Sequence, residues 1–474
     1  MESYDKILNF VKKDDPREWW REYPPKFTYK GKILPTETVK KHLREIFSHK
    51  NRLPIGVYLN IPFCRSRCLF CKFYSEIPLS EKELDDYLDC LERELELYEV
   101  NFKKTPLDNL YIGGGTPTIL NENQWRKLFK TIHEFFVFEK NAQILTEGTP
   151  ETSTLPKLKL LKKLGVNRFT IGAQSFDDAV LKGAGRLHRE KDIYQGIKNA
   201  RRAGIRYINL DILLGLVGET WDSYTQTLKG IVDLKPDCVS FMTLDFGRQL
   251  NSCYEAKARK AYFLKQSLKP KIFSYLGYIL ERTGYEKVEG FSDSTFISKG
   301  RDEAVNRHLL NRQKFNSVLG LGPKANSHFG PLKYCNTADN RQYRADIKKG
   351  ELPVFTGEEL GKEDYMRRYL IYMFVFWKKV NKKDFQRKFG EEIEKVIDKK
   401  FVGLKKDGKL FDAGDDLIFL PSSEIIRGIG KYFGKNYGNQ ERSFLFCLKY
   451  FYSPRIINRC KKYLKYYENN KNKL

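Results

Sequence analysis

Long apolar runs are missing from this chain. The longest, 369–377, falls far short of the roughly 20 residues that a membrane-spanning helix needs. The start, Met1-Glu-Ser-Tyr-Asp-Lys, has no basic stretch leading into an apolar one, so no secretory leader is expected. Neither a sequence repeat nor a low-complexity tract occurs. Acidic residues are in short supply: 60 Asp and Glu face 86 Lys and Arg, for a formal net charge of +26. A field of that sign favours anionic partners, such as nucleic acid, a polycarboxylate substrate, or an acidic electron donor of the flavodoxin or ferredoxin type. The basic residues are spread along the chain, densest over 455–473, and no nucleic-acid-binding motif accompanies them, so nucleic acid is not an expected partner. Paired cysteine motifs are scarce too. The nine cysteines are odd in number and include a single C-x2-C, which reads as reduced thiols in a cytoplasmic protein rather than a disulfide framework.

What is present is concentrated in one loop. Cys64, Cys68 and Cys71 form a C-x3-C-x2-C pattern that ends a strand-like run over 56–63. Three thiolates on one short loop suit a [4Fe–4S] cube, with three irons held and the fourth left open. A structural zinc loop is the competing reading, but it favours paired C-x2-C units and needs a fourth ligand. Cys90, Cys238, Cys253, Cys335, Cys447 and Cys460 stand singly.

A length of 474 residues implies more than one domain, and 41% apolar content supplies a core. From 56 to about 250, strand-like runs alternate with helical ones, the mark of parallel β/α architecture. The strands are expected over 56–63, 110–114, 143–147, 168–174, 207–215 and 238–245. Helices are expected over 80–98, 121–136, 155–164, 191–203 and 220–234, the first opened by a Ser80-to-Glu83 capping box. Six units make a partial (β/α)6 barrel. The divisions that follow are an extension over 1–50, the barrel over 51–290, a connecting segment over 291–355 that closes it, and a small helical domain over 356–474. A hairpin over 410–420 gives that last domain a winged-helix-like character.

Functional groups of such a barrel gather at the carboxyl ends of its strands. The first strand delivers the cysteine loop, and the second delivers Tyr111-Ile-Gly-Gly-Gly-Thr-Pro117, whose glycines let a ligand approach the backbone. Thr146 and Glu147 end the third strand, and Gln174 and Ser175 the fourth, with Arg168 at its start. On the fifth, Asn209 and Asp211 share one face of a strand otherwise fit for burial, and a buried carboxylate needs a partner or a ligand. Arg186 and His188 follow the fourth strand, where ligand contact and a solvent-exposed loop pair are equal readings. His328 follows a glycine-rich turn beyond the barrel.

In order, these segments resemble the radical S-adenosylmethionine (SAM) family of oxygen-independent coproporphyrinogen III oxidases and HemW-type haem chaperones. The resemblance rests on Tyr58 to Cys64, Gly-Gly-Gly-Thr-Pro at 113–117, Thr-Glu at 146–147, and 167–177. It continues through Gly-Arg-Leu-His at 185–188, 209–216 and 319–325. It implies that Cys64, Cys68 and Cys71 ligate the cluster, with Tyr58 and Phe70 near it and near the sulfonium. It further implies that Gly114, Gly115 and Thr116 meet the SAM amino group, and that Glu147, Gln174, Arg186 and Asp211 line the SAM pocket. Tyr58 and Glu147 are the residues it implies for catalysis, by way of a 5′-deoxyadenosyl radical. Some members hold a second SAM. Four positions depart from the family pattern: Phe73 where oxidases carry a fourth cysteine, Asn60 and Asn326 where histidines are usual, and Val217 where proline is usual. Three activities stay open: oxidative decarboxylation of a porphyrinogen, haem binding and transfer, and methylation or cyclopropanation with two SAM molecules.

Overall fold

The computed structural model describes residues 34–47, 54–98, 104–244, 254, 256–258, 269–288, 294–313, 316–377, 379–396, 405–406 and 410–419. These fall into two compact units, one of 34–329 and 333–355, the other of 330–332 and residues from 356 onward.

The larger unit is built on six parallel strands in chain order: β1 (Ile55–Ile61), β2 (Thr105–Gly114), β3 (Phe136–Gly148), β4 (Arg168–Gln174), β5 (Tyr207–Leu214) and β6 (Cys238–Thr243). Both faces of these strands are covered, so β1 and β5 read as near-continuous buried runs rather than alternating ones. The connecting helices are α1 (Thr36–Phe47), which precedes β1, then α2 (Glu81–Leu97), α3 (Glu122–Phe135), α4 (Leu155–Lys163), α5 (Asp178–Gly183), α6 (Glu190–Arg202) and α7 (Trp221–Leu234). Their ends are locally encoded. Ser80 caps α2 by accepting from the Glu83 N–H, and Asn121 forms a reciprocal capping box with Gln124 at α3. Gly165, at φ +99°, turns the chain between α4 and β4.

Beyond β6 the chain adds α8 (Lys269–Arg282) and the antiparallel strands β7 (Tyr285–Lys287) and β8 (Ser294–Ser298), with β8 paired to β6. After α9 (Arg307–Gln313), β9 (Val318–Leu321) returns to pair parallel with β1, followed by β10 (Asn326–Phe329) and β11 (Leu332–Asn336). Helix α10 (Asn340–Lys348) packs on α2, and β12 (Val354–Glu359) follows it in the chain.

The amino ends of the strands are plugged by the stretch entering α9. The Arg168 guanidinium donates to Ala304 O at 2.8 Å, and the Gln143 amide donates to Val305 O at 2.9 Å and accepts from the Arg307 N–H at 2.9 Å. Asn311 donates to Asp108 and Asn109 at the start of β2. These contacts cover the amino ends of β2, β3 and β4, and the candidate site lies at the opposite, carboxyl ends.

In the second unit α11 (Lys362–Tyr372) precedes a three-stranded antiparallel sheet, in which β13 (Lys379–Asn381) pairs with β15 (Asp416–Phe419) and β15 with β14 (Leu410–Ala413). β14 and β15 are the expected hairpin. Phe385 and Phe389 of α12 (Lys382–Phe389) pack on Tyr369. The basic tail over 455–473, with Cys447 and Cys460, lies outside the described residues, as does Cys253.

Candidate functional site

The cysteine loop leaves β1 and is tied down by backbone bonds. The Cys64 N–H donates to Glu76 O at 2.9 Å and the Glu76 N–H to Pro62 O at 2.8 Å, so the returning chain is pinned against the strand end. The Leu69 N–H donates to Ala184 O at 3.1 Å, fixing the middle of the loop to the end of α5. Cys64, Cys68 and Cys71 are all free and half-buried. Burial raises the Cys64 thiol and pushes Cys71 up to about 11, and neighbouring thiols add to each shift. Two donors face these sulfurs: Thr116 Oγ1 lies 3.4 Å from Cys64 Sγ, and Arg186 Nη1 lies 3.2 Å from Cys68 Sγ. Arg186 also donates through Nη2 to Gly172 O at 2.7 Å, and its buried Nε has no hydrogen-bond partner.

The glycine-rich turn at the end of β2 is there because nothing larger fits. A Cβ on Gly115 would overlap the Phe63 carbonyl oxygen and sit 3.0 Å from Cys64 Sγ. Gly114 has φ +113°, and its N–H donates to Glu147 Oε1 at 2.8 Å. The other Glu147 oxygen accepts from the Tyr111 hydroxyl at 2.9 Å. Burial pushes the Glu147 carboxyl up to about 7, the Asp211 charge adds to this, and the two hydrogen bonds only partly oppose it. Asp211 is half-buried and accepts from the Asn209 amide at 2.7 Å, which is the partner that its burial calls for. Gln174 ends β4 at φ +68°, a left-handed conformation that costs a non-glycine residue about 1 kcal/mol or more.

The expected residues are thus gathered in two neighbouring groups. One holds the cysteines with Gly115, Thr116 and Arg186, and the other holds Glu147 with Gly114, Tyr111 and Asp211. Phe70 lies with Leu69 against an apolar cluster of Val180, Leu213 and Leu244. Tyr58 sits deeper, on β1, donating to Asn60 Oδ1 at 3.1 Å with its ring edge-on to Tyr111. Of the two readings of the loop after β4, the solvent-exposed one does not hold for His188. It is buried behind β4, with Nε2 3.1 Å from Ala173 O and Nδ1 3.5 Å from Glu151, because the chain after α5 folds back over that strand. His328 lies on β10 opposite Val318.

Sequence reasoning passed over His308. Its ring lies 5.4 Å from those of both Tyr58 and Tyr111, its Nδ1 is buried without a hydrogen-bond partner, and burial followed by the Arg312 charge brings its pKa down to about 3. The imidazole is therefore neutral. A histidine on a short helix after a loop carries no periodic signal, and only the fold brings it to these strands.

Comparisons with known proteins agree with this geometry. Residues 59–231 match the model of the Radical SAM superfamily, whose members use a [4Fe–4S] cluster and SAM. The heme chaperone HemW of Bacillus subtilis (strain 168) is 25% identical over 359 residues, 76% of this chain and 93% of the relative. Oxygen-independent coproporphyrinogen III oxidases are similar to the same degree. That of Escherichia coli (strain K12) is 29% identical over 330 residues, 68% of this chain and 72% of the relative. That of Helicobacter pylori (strain J99 / ATCC 700824) is 26% identical over 457 residues, 91% of this chain and 99% of the relative. The solved structure of coproporphyrinogen III oxidase (HemN) from Escherichia coli superposes with a TM-score of 0.72 at 23% identity, covering 93% of this chain and 98% of that one, so the fold is shared. Residues 59–231 are accordingly a radical SAM domain, in a chain whose relatives include both HemN oxidases and HemW chaperones.

Proposed function

We propose that this chain holds a [4Fe–4S] cluster on Cys64, Cys68 and Cys71 and SAM beside it, and that it acts on a tetrapyrrole-class substrate in the manner of an oxygen-independent coproporphyrinogen III oxidase. The observation that carries the reading is the meeting of three thiols with two donors to sulfur and a buried carboxylate at the carboxyl ends of the barrel strands. The donor set fits the cluster. Thiolates are its ordinary ligands, and Thr116 and Arg186 are placed to stabilise charge on two of the sulfurs. The orphaned Nε of Arg186 suits an anionic group such as the SAM carboxylate. Such a cluster with SAM bound supplies one-electron cleavage of the sulfonium to methionine and a 5′-deoxyadenosyl radical.

The protein's own part is binding, orientation and exclusion of water. Cys64 and Cys71, whose thiols burial keeps protonated, would release their protons on binding iron. Glu147 is fixed by Gly114 and Tyr111, so that it presents a carboxylate beside the glycine turn, where the resemblance places the SAM amino group. Asp211, Gln174 and Tyr58 complete the pocket on the same reading. The contacts around Ala304 and Val305 cover the amino ends of β3 and β4, opposite this pocket. The net charge of +26 favours a polycarboxylate substrate. The barrel of this reading spans 51–290, and 356–474 make a HemN-like second domain.

Haem binding and transfer is a second reading, and Phe73 favours it. Oxidases of the family carry a cysteine at that position, and here an aromatic side chain is exposed instead. Anaerobic reconstitution followed by incubation with SAM and either coproporphyrinogen III or haem separates the two. Deoxyadenosine with CO2 loss is the expected product, whereas stoichiometric haem binding without porphyrin change would move the protein to the chaperone reading. Cys68→Ala is expected to lose most bound iron and sulfide and all deoxyadenosine formation. A variant with full iron content would remove the ligand assignment.

A further inference from the structure

The end of β4 is bent in a way that strand pairing does not require. Gln174 stands at φ +68°, and the Ser175 N–H donates across it to Ala173 O at 2.9 Å. Together these make a γ-turn of the positive-φ kind, which is rare and strained. The pairing of β4 with β5 slips at the same point, between Gly172 and Gln174. Glycine would take this conformation without strain, so a long side chain kept at position 174 against that cost points to a use for it.

Two side chains of one loop hold the bend. Arg186 Nη2 donates to Gly172 O at 2.7 Å, and His188 Nε2 lies 3.1 Å from Ala173 O, with the exposed Leu187 between them. A carbonyl oxygen only accepts, so the His188 ring carries a proton on Nε2. The ring is fully buried, and Glu151, on the short turn after β3, sets a carboxylate oxygen 3.5 Å from its Nδ1. Neither of those two atoms has a hydrogen-bond partner elsewhere among the described residues. The chain is fixed again just beyond the bend, where the Phe176 N–H donates to Thr227 Oγ1 and the Gln226 amide donates to Phe176 O. The freedom left is that of residues 173–175.

Those residues aim the polar groups of the pocket. A Cβ on Gly172 would lie 3.0 Å from the Gln174 amide nitrogen and 3.8 Å from Arg186 Nη2, so both groups converge over the bare face of that glycine. Gly172 is the β5 partner of Asp211, and Gly172 and Gln174 are partly open where Ala173 between them is buried.

We propose that His188 is a positioning residue of the SAM pocket: by holding the Ala173 carbonyl it locks the bend that directs the Gln174 amide inward beside Arg186. The proposal rests on the SAM reading above and adds a residue that does not touch SAM. Released from His188, the bend relaxes toward an extended strand end, and the Gln174 amide leaves the face of Gly172.

The test compares His188→Gln, whose amide keeps an N–H donor at the reach of Nε2, with His188→Asn, whose shorter side chain does not reach Ala173 O. Amide exchange over 172–176 is followed in protein without iron or SAM, and SAM affinity is measured on reconstituted protein by equilibrium dialysis. His188→Asn should quicken exchange over 172–176 and weaken SAM binding by roughly fivefold to tenfold, the worth of one lost hydrogen bond. Its iron content should match the unaltered chain, and His188→Gln should recover most of both losses. In a Gln174→Ala background His188→Asn should cost less SAM affinity, because the group that it positions is gone. Unchanged exchange and affinity in His188→Asn overturn the proposal. So does a His188→Gln no better than His188→Asn, or a variant that does not fold, since either makes the histidine a packing residue only. If the unaltered chain binds no SAM, the SAM reading fails, while the exchange comparison still decides whether His188 holds the bend.

Discussion

Glu94 has no contact with water, yet it carries a carboxyl group in the core of the larger unit. It accepts hydrogen bonds from the Gly322 N–H, the Asn336 amide and the Tyr343 hydroxyl, each at 2.8 Å. Burial pushes the carboxyl up to about 7, and the three bonds only partly offset this. The folded protein therefore keeps a proton there through a range in which the unfolded chain, titrating near 4.5, has lost it. The stabilising contribution is complete below about 4.5 and is lost as pH rises to about 7. Thermal unfolding of Glu94→Gln should accordingly show a gentler fall in midpoint over that window than the unaltered chain. Identical slopes would place the pH dependence elsewhere. His308 has the opposite sign: its pKa lies near 3 when folded against about 6.5 unfolded, so its contribution is present above about 6.5 and lost as pH falls toward 3. Neither residue was legible as special from sequence. A glutamate on an amphipathic helix and a histidine on a short one look like surface groups until the chain after 300 is placed over them.

Helix ends and strand order were legible, because the information is local. Ser80, Asn121 and Gly165 mark the boundaries at which α2, α3 and α4 begin or stop, and each mark lies within a few residues of what it controls. The cover over the amino ends of β2, β3 and β4 was not legible. It is assembled from Asp108, Gln143 and Arg168 meeting residues 303–311, far along the chain and without periodicity. The glycine-rich turn falls between these cases, since its sequence suggested a ligand site but not the contact with Phe63 and Cys64. That contact gives a sharp expectation. Gly115→Ala forces a Cβ onto the Phe63 carbonyl and toward Cys64 Sγ, so the cysteine loop must shift. Iron and sulfide retained after reconstitution should fall by more than half. Gly218→Ala is the control, because φ there is +90° but nothing lies within 4 Å, leaving about 1 kcal/mol of backbone strain and normal iron content. Equal iron content in the two variants would mean that the loop yields freely.

At the scale of the whole molecule, six parallel strands and a cysteine loop at their carboxyl ends could be read from alternating patterns alone, whereas the return of β9 to β1 could not, because a four-residue strand has too little pattern to declare its partner. That return matters for the proposed cluster site. The cysteine loop is held by the Cys64–Glu76, Glu76–Pro62 and Leu69–Ala184 backbone bonds, none of which involves a thiol. The strand from which it leaves is paired on both sides, to β2 and to β9. A site built this way exists before its metal arrives, unlike a zinc finger, in which binding free energy is folding free energy. Removing iron with a chelator under reducing conditions should therefore leave the far-ultraviolet circular dichroism unchanged within error. It should lower the thermal midpoint only by the linkage that a lost ligand imposes. Amide exchange should quicken over 64–73 and hold steady over β1 and β2. If iron removal instead collapses the dichroism, the loop is a folding element, and the backbone bonds that pin it are a consequence of metal binding rather than its preparation.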